Sequence, residues 1–387
     1  MAYCPISAMP STGACRVLSL HGGDMESTAR HIVWRPRSLP VILLSVAVTA
    51  CGSSTPTSTP PPTPSAPVVW ASIIASRATT GFTCGLTTQG VAYCWGNNDS
   101  SQLGTQTTNW SRQPVRVVTA LRFRSLALGW RHVCGLTNDS QVYCWGVTYL
   151  AGEPNGPYLG PPVALRGGRT FDAVSSGVNF AAGLANGVVY QWRGRDGTAV
   201  VVSDSVRFRH LSAGNYGFCG LDALGAAWCW EDDTPLGPGD TRRTVPTPIG
   251  GGTFLSISAG ADVSCALTAE GEARCWTLFG TPRPVSPGLR FSMISVGDRT
   301  CALAMSGEAY CTDGSGALVA PVPGGHRFRT LSVGYRHACA VDGDGVGWCW
   351  GDNCDGQLGD GSTPKPCNFV TYADTSAVPL RVKDPAP

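Results

Sequence analysis

The chain has 387 residues, of which 49 are Gly and 29 are Pro, and only 14% carry charge. This composition excludes a protein of long amphipathic helices and is typical of many short strands joined by tight turns. The formal charge is +2 and the sequence has no run of Lys and Arg, so nucleic acid is not an expected partner.

The first predicted element is an export signal over residues 1–50. Three arginines precede an apolar run at residues 39–50. This run is too short to span a bilayer and follows the order of a secretory signal peptide. Because Met25 lies at the usual distance upstream of the basic stretch, residues 1–24 are interpreted as a start site assigned too early.

Residues 48–51 read Val-Thr-Ala-Cys and resemble the lipobox of bacterial lipoproteins. The resemblance implies diacylation of Cys51, cleavage before it, and a place in the bacterial cell envelope, facing the periplasm or the exterior. A plain signal peptide and a buried helix are the alternatives. Residues 51–67 are rich in Ser, Thr and Pro, so we expect the lipidated cysteine to be followed by an extended tether.

One pattern recurs from residue 68 to residue 382. The copy at 123–146 carries Gly-Trp-Arg-His-Val-Cys and then Tyr-Cys-Trp-Gly, and the copy at 328–351 carries Gly-Tyr-Arg-His-Ala-Cys and then Trp-Cys-Trp-Gly. Seven copies lie 36 to 50 residues apart. Their landmark positions are Cys84, Cys134, Ala182, Cys219, Cys265, Cys301 and Cys339.

Within each copy, alternating apolar residues broken by Gly predict four short antiparallel strands. Such a sheet cannot bury both faces alone, so seven copies packed radially predict an all-β, seven-bladed β-propeller, with residues 383–387 as a tail. A solenoid is the alternative. Because residues 379–382 repeat the strand at 114–117 but have no copy after them, we expect them to complete the first blade.

These motifs resemble the repeats of the regulator of chromosome condensation family, whose propellers have seven blades. The resemblance rests on the Gly-x-x-His-x-Cys and Tyr/Trp-Cys-Trp-Gly elements and on Gln-Leu-Gly at residues 102–104 and 357–359. Copies three to six lack Gln-Leu-Gly or its flanks. Eukaryotic members of the family are exchange factors for a nuclear GTPase or bind chromatin, and an exported bacterial protein would meet neither partner.

The cysteines predict disulfides. In six copies a second cysteine follows the first by ten positions, which places both on facing positions of a hairpin, with Cα atoms about 4.5 to 5.5 Å apart. The third copy loses both members and has Ala182 and Gln191. The fourteen cysteines after Cys51 form seven expected pairs, namely Cys84 with Cys94, Cys134 with Cys144, Cys219 with Cys229, Cys265 with Cys275, Cys301 with Cys311, Cys339 with Cys349, and Cys354 with Cys367.

Two alternatives to disulfides remain at this stage. A structural zinc site needs short spacings such as Cys-x-x-Cys, which do not occur in this sequence. Free cysteines buried in the core are the second alternative. We therefore expect neither a metal nor another cofactor.

No catalytic motif stands out in the sequence. His132 and His337 occupy the same place in the repeat beside a cysteine, so they are interpreted as repeat residues and not as a catalytic group. Asp232, Asp233 and Asp240 crowd one loop and are interpreted as solvated charge. We expect a protein that is not an enzyme, and a hydrolase or lyase with a site at the propeller mouth is the alternative.

The short segment after each repeat glycine predicts a binding face, since it places aromatic and Arg side chains on one side of a rigid ring. The residues expected to bind a partner are Trp130, Arg131, Tyr216, Arg299, Tyr335 and Arg336. These side chains could instead pack loop against loop. A competing candidate surface is formed by long loops at 97–113, 147–161, 231–247 and 351–378, with Trp110, Tyr149 and Tyr158.

Together these patterns predict a monomeric, membrane-tethered protein that binds a protein or glycan partner outside the cytoplasm. Its only expected contact with a membrane is the lipid anchor. Secreted propellers of the resembled family that inhibit β-lactamases bind a protein through loops on one face and are the closer functional analogy. A surface scaffold or adhesion protein is the alternative.

Overall fold

The computed structural model describes residues 67–77, 79, 81–147, 158–192, 199–231, 244–277, 279–286, 288–312, 316–363 and 375–385. The predicted signal peptide, Cys51 and nearly all of the predicted tether lie outside this part of the chain. Among the described residues we find no helix of the length and hydropathy that crossing a membrane requires.

The described residues contain 28 strands, which form seven antiparallel sheets of four. Each sheet is one blade, and its four strands follow one another in the sequence. This arrangement confirms the predicted seven-bladed β-propeller.

The strands have the following bounds. Blade 1 contains β1 (Trp70–Ala75), β2 (Phe82–Thr87), β3 (Ala92–Gly96) and β4 (Ser111–Arg116). Blade 2 contains β5 (Phe123–Leu128), β6 (His132–Thr137), β7 (Val142–Gly146) and β8 (Tyr158–Ala164). Blade 3 contains β9 (Ala173–Ser176), β10 (Ala181–Ala185), β11 (Val188–Trp192) and β12 (Ala199–Ser203). Blade 4 contains β13 (Phe208–Ala213), β14 (Gly217–Asp222), β15 (Ala226–Glu231) and β16 (Thr247–Thr253). Blade 5 contains β17 (Ser256–Ala259), β18 (Val263–Leu267), β19 (Ala273–Thr277) and β20 (Arg283–Pro284). Blade 6 contains β21 (Phe291–Val296), β22 (Thr300–Ala304), β23 (Ala309–Thr312) and β24 (Leu318–Pro321). Blade 7 contains β25 (Phe328–Val333), β26 (His337–Asp342), β27 (Gly347–Asp352) and β28 (Thr375–Arg381).

The second and third strands of each blade are joined by a tight turn. In blade 7, Asp342 Oδ1 accepts hydrogen bonds from the N–H groups of Asp344 (3.0 Å) and Val346 (2.9 Å). Gly345 completes this turn with a φ of 82°, which glycine adopts without a steric penalty. The turn therefore sets the register of the hairpin and decides which residues face each other.

That register places the paired cysteines directly opposite one another, and all six predicted hairpin pairs are disulfides. Their Cα atoms lie 4.0 to 4.1 Å apart, slightly closer than expected. The six bridges join Cys84 to Cys94, Cys134 to Cys144, Cys219 to Cys229, Cys265 to Cys275, Cys301 to Cys311, and Cys339 to Cys349. These twelve cysteines are therefore neither free thiols nor metal ligands.

Two positions complete the account of the cysteines. In blade 3, Ala182 faces Gln191 at the place where the other blades carry a disulfide. Cys354 is also disulfide-bonded, and its predicted partner Cys367 lies outside the described residues. The pairing of Cys354 with Cys367 therefore stays a prediction.

The first strand of each blade lies at the centre of the ring, where it contacts the first strands of both neighbouring blades. Serines in these strands join blade to blade: Ser212 Oγ accepts from the N–H of Ala259 at 3.0 Å, and Ser295 Oγ accepts from the N–H of Val333 at 3.0 Å. Equivalent bonds are made by Ser175, Ser258 and Ser332. These hydrogen bonds satisfy main-chain N–H groups on the inner edge of the blades. A buried N–H group without an acceptor would cost free energy.

The prediction that residues 379–382 complete the first blade is wrong. They belong to β28 and its end, and β28 pairs with β27 as the outer strand of blade 7. Blade 1 already has its own outer strand, because β4 pairs with β3. The ring therefore closes by contacts between two complete blades.

Candidate binding face

The two candidate binding surfaces lie on one face of the ring. Because strands alternate in direction, the connections from first to second strand and from third to fourth strand leave the same end of each blade. Main-chain hydrogen bonds join the two kinds of connection, from the N–H of Asn97 to Gly81 O (2.8 Å) and from the N–H of Asp352 to Arg336 O (3.0 Å). We call this end the loop face, with first-to-second connections at its centre and third-to-fourth connections at its rim.

The repeat glycines bring the centre of the loop face together. A Cβ atom at Gly214 would lie 2.0 Å from Gly260 O of the next blade, and one at Gly297 would lie 2.0 Å from Gly334 O. The following residues continue this ring, since the N–H of Asp298 donates to Gly334 O at 3.1 Å. Glycine is required here by the close approach of neighbouring blades.

All six residues predicted to bind a partner lie on the loop face, in blades 2, 4, 6 and 7. Arg131, Tyr216 and Arg299 are exposed, and the other three are half-buried. The arginines stack on their aromatic neighbours, with the Arg131 guanidinium 4.3 Å from the Trp130 ring centre and that of Arg336 5.1 Å from the Tyr335 ring centre. Such rigid aromatic and Arg pairs are typical of interaction hot spots.

The structure brings only half of this set into one cavity. Arg299, Tyr335 and Arg336 line a cleft of about 690 Å³ between blades 6 and 7, with Trp350 and the Cys301–Cys311 disulfide also exposed to it. Trp130 and Arg131 belong to blade 2 and Tyr216 to blade 4, with blade 3 between them. Sequence analysis did not predict this cleft.

The rim of the loop face holds the competing residues. Trp110 is 47% exposed, and its Nε1 donates to Asp99 Oδ1 at 2.7 Å. Tyr149 and the side chain of Tyr158 lie outside the described residues, as do Asp232, Asp233 and Asp240. The described part of the rim therefore lies on the same face of the ring as the six residues predicted to bind a partner.

Arg77 is a residue that sequence analysis missed. It follows β1 and reaches across the ring to blades 4 and 5, where its guanidinium donates to Ala213 O and lies 3.5 Å from Ser258 Oγ. Burial lowers the pKa of Arg77 to about 10, so the group remains charged at neutral pH. Arg77 has in blade 1 the repeat position that Trp130 has in blade 2. This departure from the repeat pattern is the signal in the sequence that could have identified it.

The two repeat histidines are buried between blades. Burial lowers the pKa of His132 to about 4 and that of His337 to about 3, so both are neutral at pH 7. His337 Nε2 lies 2.8 Å from Thr83 Oγ1 across the seam between blades 7 and 1. His132 Nε2 has no such partner within the described structure, because Ala181 stands where Thr83 stands in blade 1. These side chains pack blades together.

A group of carboxylates lies beside the seam between blades 7 and 1. Burial raises the pKa of Asp355 to about 6, and the nearby charges of Asp352 and Asp99 act in the same direction. Asp355 Oδ2 accepts from the N–H of Gly81 at 2.6 Å and so links blade 7 to blade 1. Across the described residues, no group of three His, Cys, Asp or Glu side chains is arranged to hold a metal ion.

Comparisons with known proteins identify the repeat. Residues 89–136 match one model of the regulator of chromosome condensation (RCC1) repeat, and residues 328–357 match a second model of that repeat. No curated protein sequence matches the chain.

Solved structures with the same fold include Prp20p from Saccharomyces cerevisiae, studied for binding to Gsp1p and histones. It is 18% identical, with a TM-score of 0.64 over 77% of this chain and 87% of that one. Yeast RCC1 (Prp20) bound to Kap60 is 17% identical, with a TM-score of 0.65 over 87% and 91% of the two chains. The ectodomain of the Arabidopsis thaliana receptor kinase ACR4 is 24% identical, with a TM-score of 0.52 over 73% and 96%. At these identities the likeness concerns the fold alone.

Proposed function

We propose that this β-propeller, which carries repeats of the regulator of chromosome condensation family, binds a protein partner through its loop face outside the cytoplasm. The observation that carries the proposal is the arrangement of the loop face. Rigid main-chain contacts between blades hold exposed Arg and aromatic side chains beside a cleft. A preorganised surface of this kind loses little conformational entropy when a partner binds.

Two kinds of observation support a protein as the partner. Prp20p, a propeller of similar fold, has been studied for its binding to Gsp1p and histones, and yeast RCC1 (Prp20) has been solved bound to Kap60. The loop face also carries arginine and aromatic residues at its centre, which is the composition of protein interfaces. The nuclear partners themselves are not proposed for this chain, and a glycan is the second candidate ligand.

The disulfides support a place outside the cytoplasm. Six bridges in one chain would be kept reduced by the thiols of an ordinary cytosol, whereas they persist in a periplasm or an extracellular space. Together with the sequence of residues 39–51, they favour export and anchoring through a lipid on Cys51, in the cell envelope. This anchor would be the only contact of the protein with a membrane.

A triple variant tests the binding face. Trp130→Ala, Tyr216→Ala and Tyr335→Ala should together abolish capture of the partner from envelope extracts, with an unchanged unfolding midpoint. The control removes exposed apolar side chains from the opposite end of the blades, with Leu224→Ala, Leu255→Ala and Met305→Ala. Retained binding by the first variant would move the interface away from these residues.

Intact mass of the protein from a native membrane fraction tests export and anchoring. We expect a diacylglycerol adduct on an N-terminal Cys51 and fourteen thiols that become reactive only after reduction. An unmodified chain with free thiols would contradict both parts of the proposal.

A further inference from the structure

Two seams between blades are filled by a Gln-Leu-Gly turn. At the seam between blades 1 and 2, Trp145 Nε1 donates to Gln102 O at 3.0 Å, and Leu103 is fully buried against blade 2. At the seam between blades 7 and 1, Trp95 Nε1 donates to Gln357 O at 2.9 Å, and Leu358 is buried in the same way. Each turn thus gives the next blade an aliphatic side chain and a main-chain acceptor for its tryptophan.

The seam between blades 6 and 7 has the same tryptophan but no such turn. The connection from β23 to β24 spans only residues 313–317, whereas the connection in blade 1 spans residues 97–110. Trp350 therefore borders the cleft of about 690 Å³. Cys311, which would lie under the missing leucine, is half-buried, while Cys94 beside a filled seam is fully buried.

The rim of this cleft carries charges of both signs. Arg299 and Arg336 line it from blades 6 and 7, together with Asp298 and Asp352. In the filled seam between blades 7 and 1, the turn that occupies this place carries Asp355 two residues before its glutamine, and this carboxylate accepts from the N–H of Gly81. An occupant of the open seam would therefore meet both signs of charge at the rim.

We propose that this cleft receives a loop of a protein partner that copies the Gln-Leu-Gly turn. The loop places an aliphatic side chain between Trp350 and the Cys301–Cys311 disulfide, and its main-chain carbonyl accepts a hydrogen bond from Trp350 Nε1. The inference rests on the proposed function, since the cleft opens on the loop face.

The turns of this chain show that such a loop can hold its shape through its own hydrogen bonds. In blade 1, the N–H of Leu103 donates to Asn98 Oδ1 at 2.9 Å, and Gln102 Nε2 donates to Asn97 Oδ1 at 2.8 Å. A partner loop with this pattern would be ordered before binding, which reduces the entropy lost on association.

A cyclic peptide with the sequence of residues 97–105 is the probe. The full chain is labelled with fluorotryptophan, and the resonance of Trp350 is assigned by its absence in Trp350→Phe. Peptide at millimolar concentration should shift the Trp350 resonance saturably and leave those of Trp95 and Trp145 in place. A peptide with Leu103→Ala should bind much more weakly.

Two protein variants complete the test. Trp350→Phe should weaken peptide binding in calorimetry by roughly three- to tenfold, the effect of one neutral hydrogen bond, and Trp145→Phe should leave it unchanged. Replacing residues 313–317 with a copy of residues 97–110 should fill the cleft and abolish binding.

An unshifted Trp350 resonance, or equal binding of the Leu103→Ala peptide, would overturn the inference. The peptide experiment needs no partner, so the cleft and the wider binding face can fail separately. Loss of the partner in the triple variant together with no peptide binding would refute the cleft alone.

Discussion

The indole hydrogen bonds allow a direct comparison of a paired and an unpaired tryptophan within the described structure. Trp145 and Trp230 occupy the same place in blades 2 and 4, and each is at most 1% exposed. Trp145 Nε1 donates to Gln102 O, whereas Trp230 Nε1 has no acceptor within the described structure. Replacing each with Phe removes the same atoms from equally buried sites, so the two changes should differ through the hydrogen bond.

The size of this difference follows from the cost of unpaired polar groups. Trp145→Phe breaks one bond and leaves the buried Gln102 O without its donor, at a cost of about 1–3 kcal/mol. Trp230→Phe instead removes a donor that already has no acceptor, which regains about 1–3 kcal/mol of desolvation. We expect Trp145→Phe to be the more destabilising change by about 2–6 kcal/mol.

Urea unfolding with the disulfides intact measures both changes. The comparison uses the free energy of unfolding of each variant and requires equal slopes against urea concentration, so that the unfolded states are alike. Losses that agree within about 0.5 kcal/mol would refute the reasoning, since the loss of the hydrogen bond alone is larger. A greater loss in Trp230→Phe would have the same meaning.

Three further predictions concern the contacts between blades. In urea titrations, Gly334→Ala should lower the free energy of unfolding by about 2 kcal/mol more than Gly343→Ala. The reason is that a Cβ at Gly334 would lie 2.3 Å from a carbonyl oxygen, whereas a Cβ at Gly343 would meet nothing within 4 Å. Equal effects of the two changes would contradict the close approach of the blades at Gly334. Burial lowers the pKa of His337 to about 3 in the folded state, so the free energy of unfolding decreases as pH falls below about 6.5, the pKa of an unfolded histidine. Between pH 7 and pH 5, the free energy of unfolding of His337→Gln should therefore decrease by about 2 kcal/mol less than that of the unchanged protein. Equal decreases in urea titrations would contradict a buried neutral ring. Ala181→Ser should stabilise the protein by about 1 kcal/mol by giving His132 a hydroxyl partner, which His132→Phe in the same background should cancel.

The fold could be predicted because its repeat has local rules. The tight turn of each hairpin sets a register, and that register makes a spacing of ten residues a pair of facing positions, as in Cys134 and Cys144. The joint loss of cysteine at Ala182 and Gln191 reflects the same pairing. Blade count follows from counting these hairpins.

The strand at the end of the chain could not be placed in this way. An outer strand is followed directly by the inner strand of the next blade, so the repeat pattern alone does not say where one blade ends. The position that Phe123 takes in blade 2 is held by Trp70 in blade 1. Once Trp70 is recognised as the start of an inner strand, blade 1 is complete and β28 belongs to blade 7.

The candidate site was predicted only in part. The face that carries Arg131, Tyr216 and Arg299 follows from the position of the repeat glycines. The cleft follows from a turn that blade 6 does not have, and a missing segment leaves no motif to find. Arg77 acts through acceptors in blades 4 and 5, which are distant in the sequence.

Closure between two complete blades has a consequence for how such a ring can be cut. The N–H of Val68 lies 3.2 Å from Asp384 Oδ1, so the two ends of the described propeller meet at the seam between blades 7 and 1. A short linker could join them, and new termini could then be opened at any other seam without dividing a sheet. The protein should therefore tolerate circular permutation at blade boundaries.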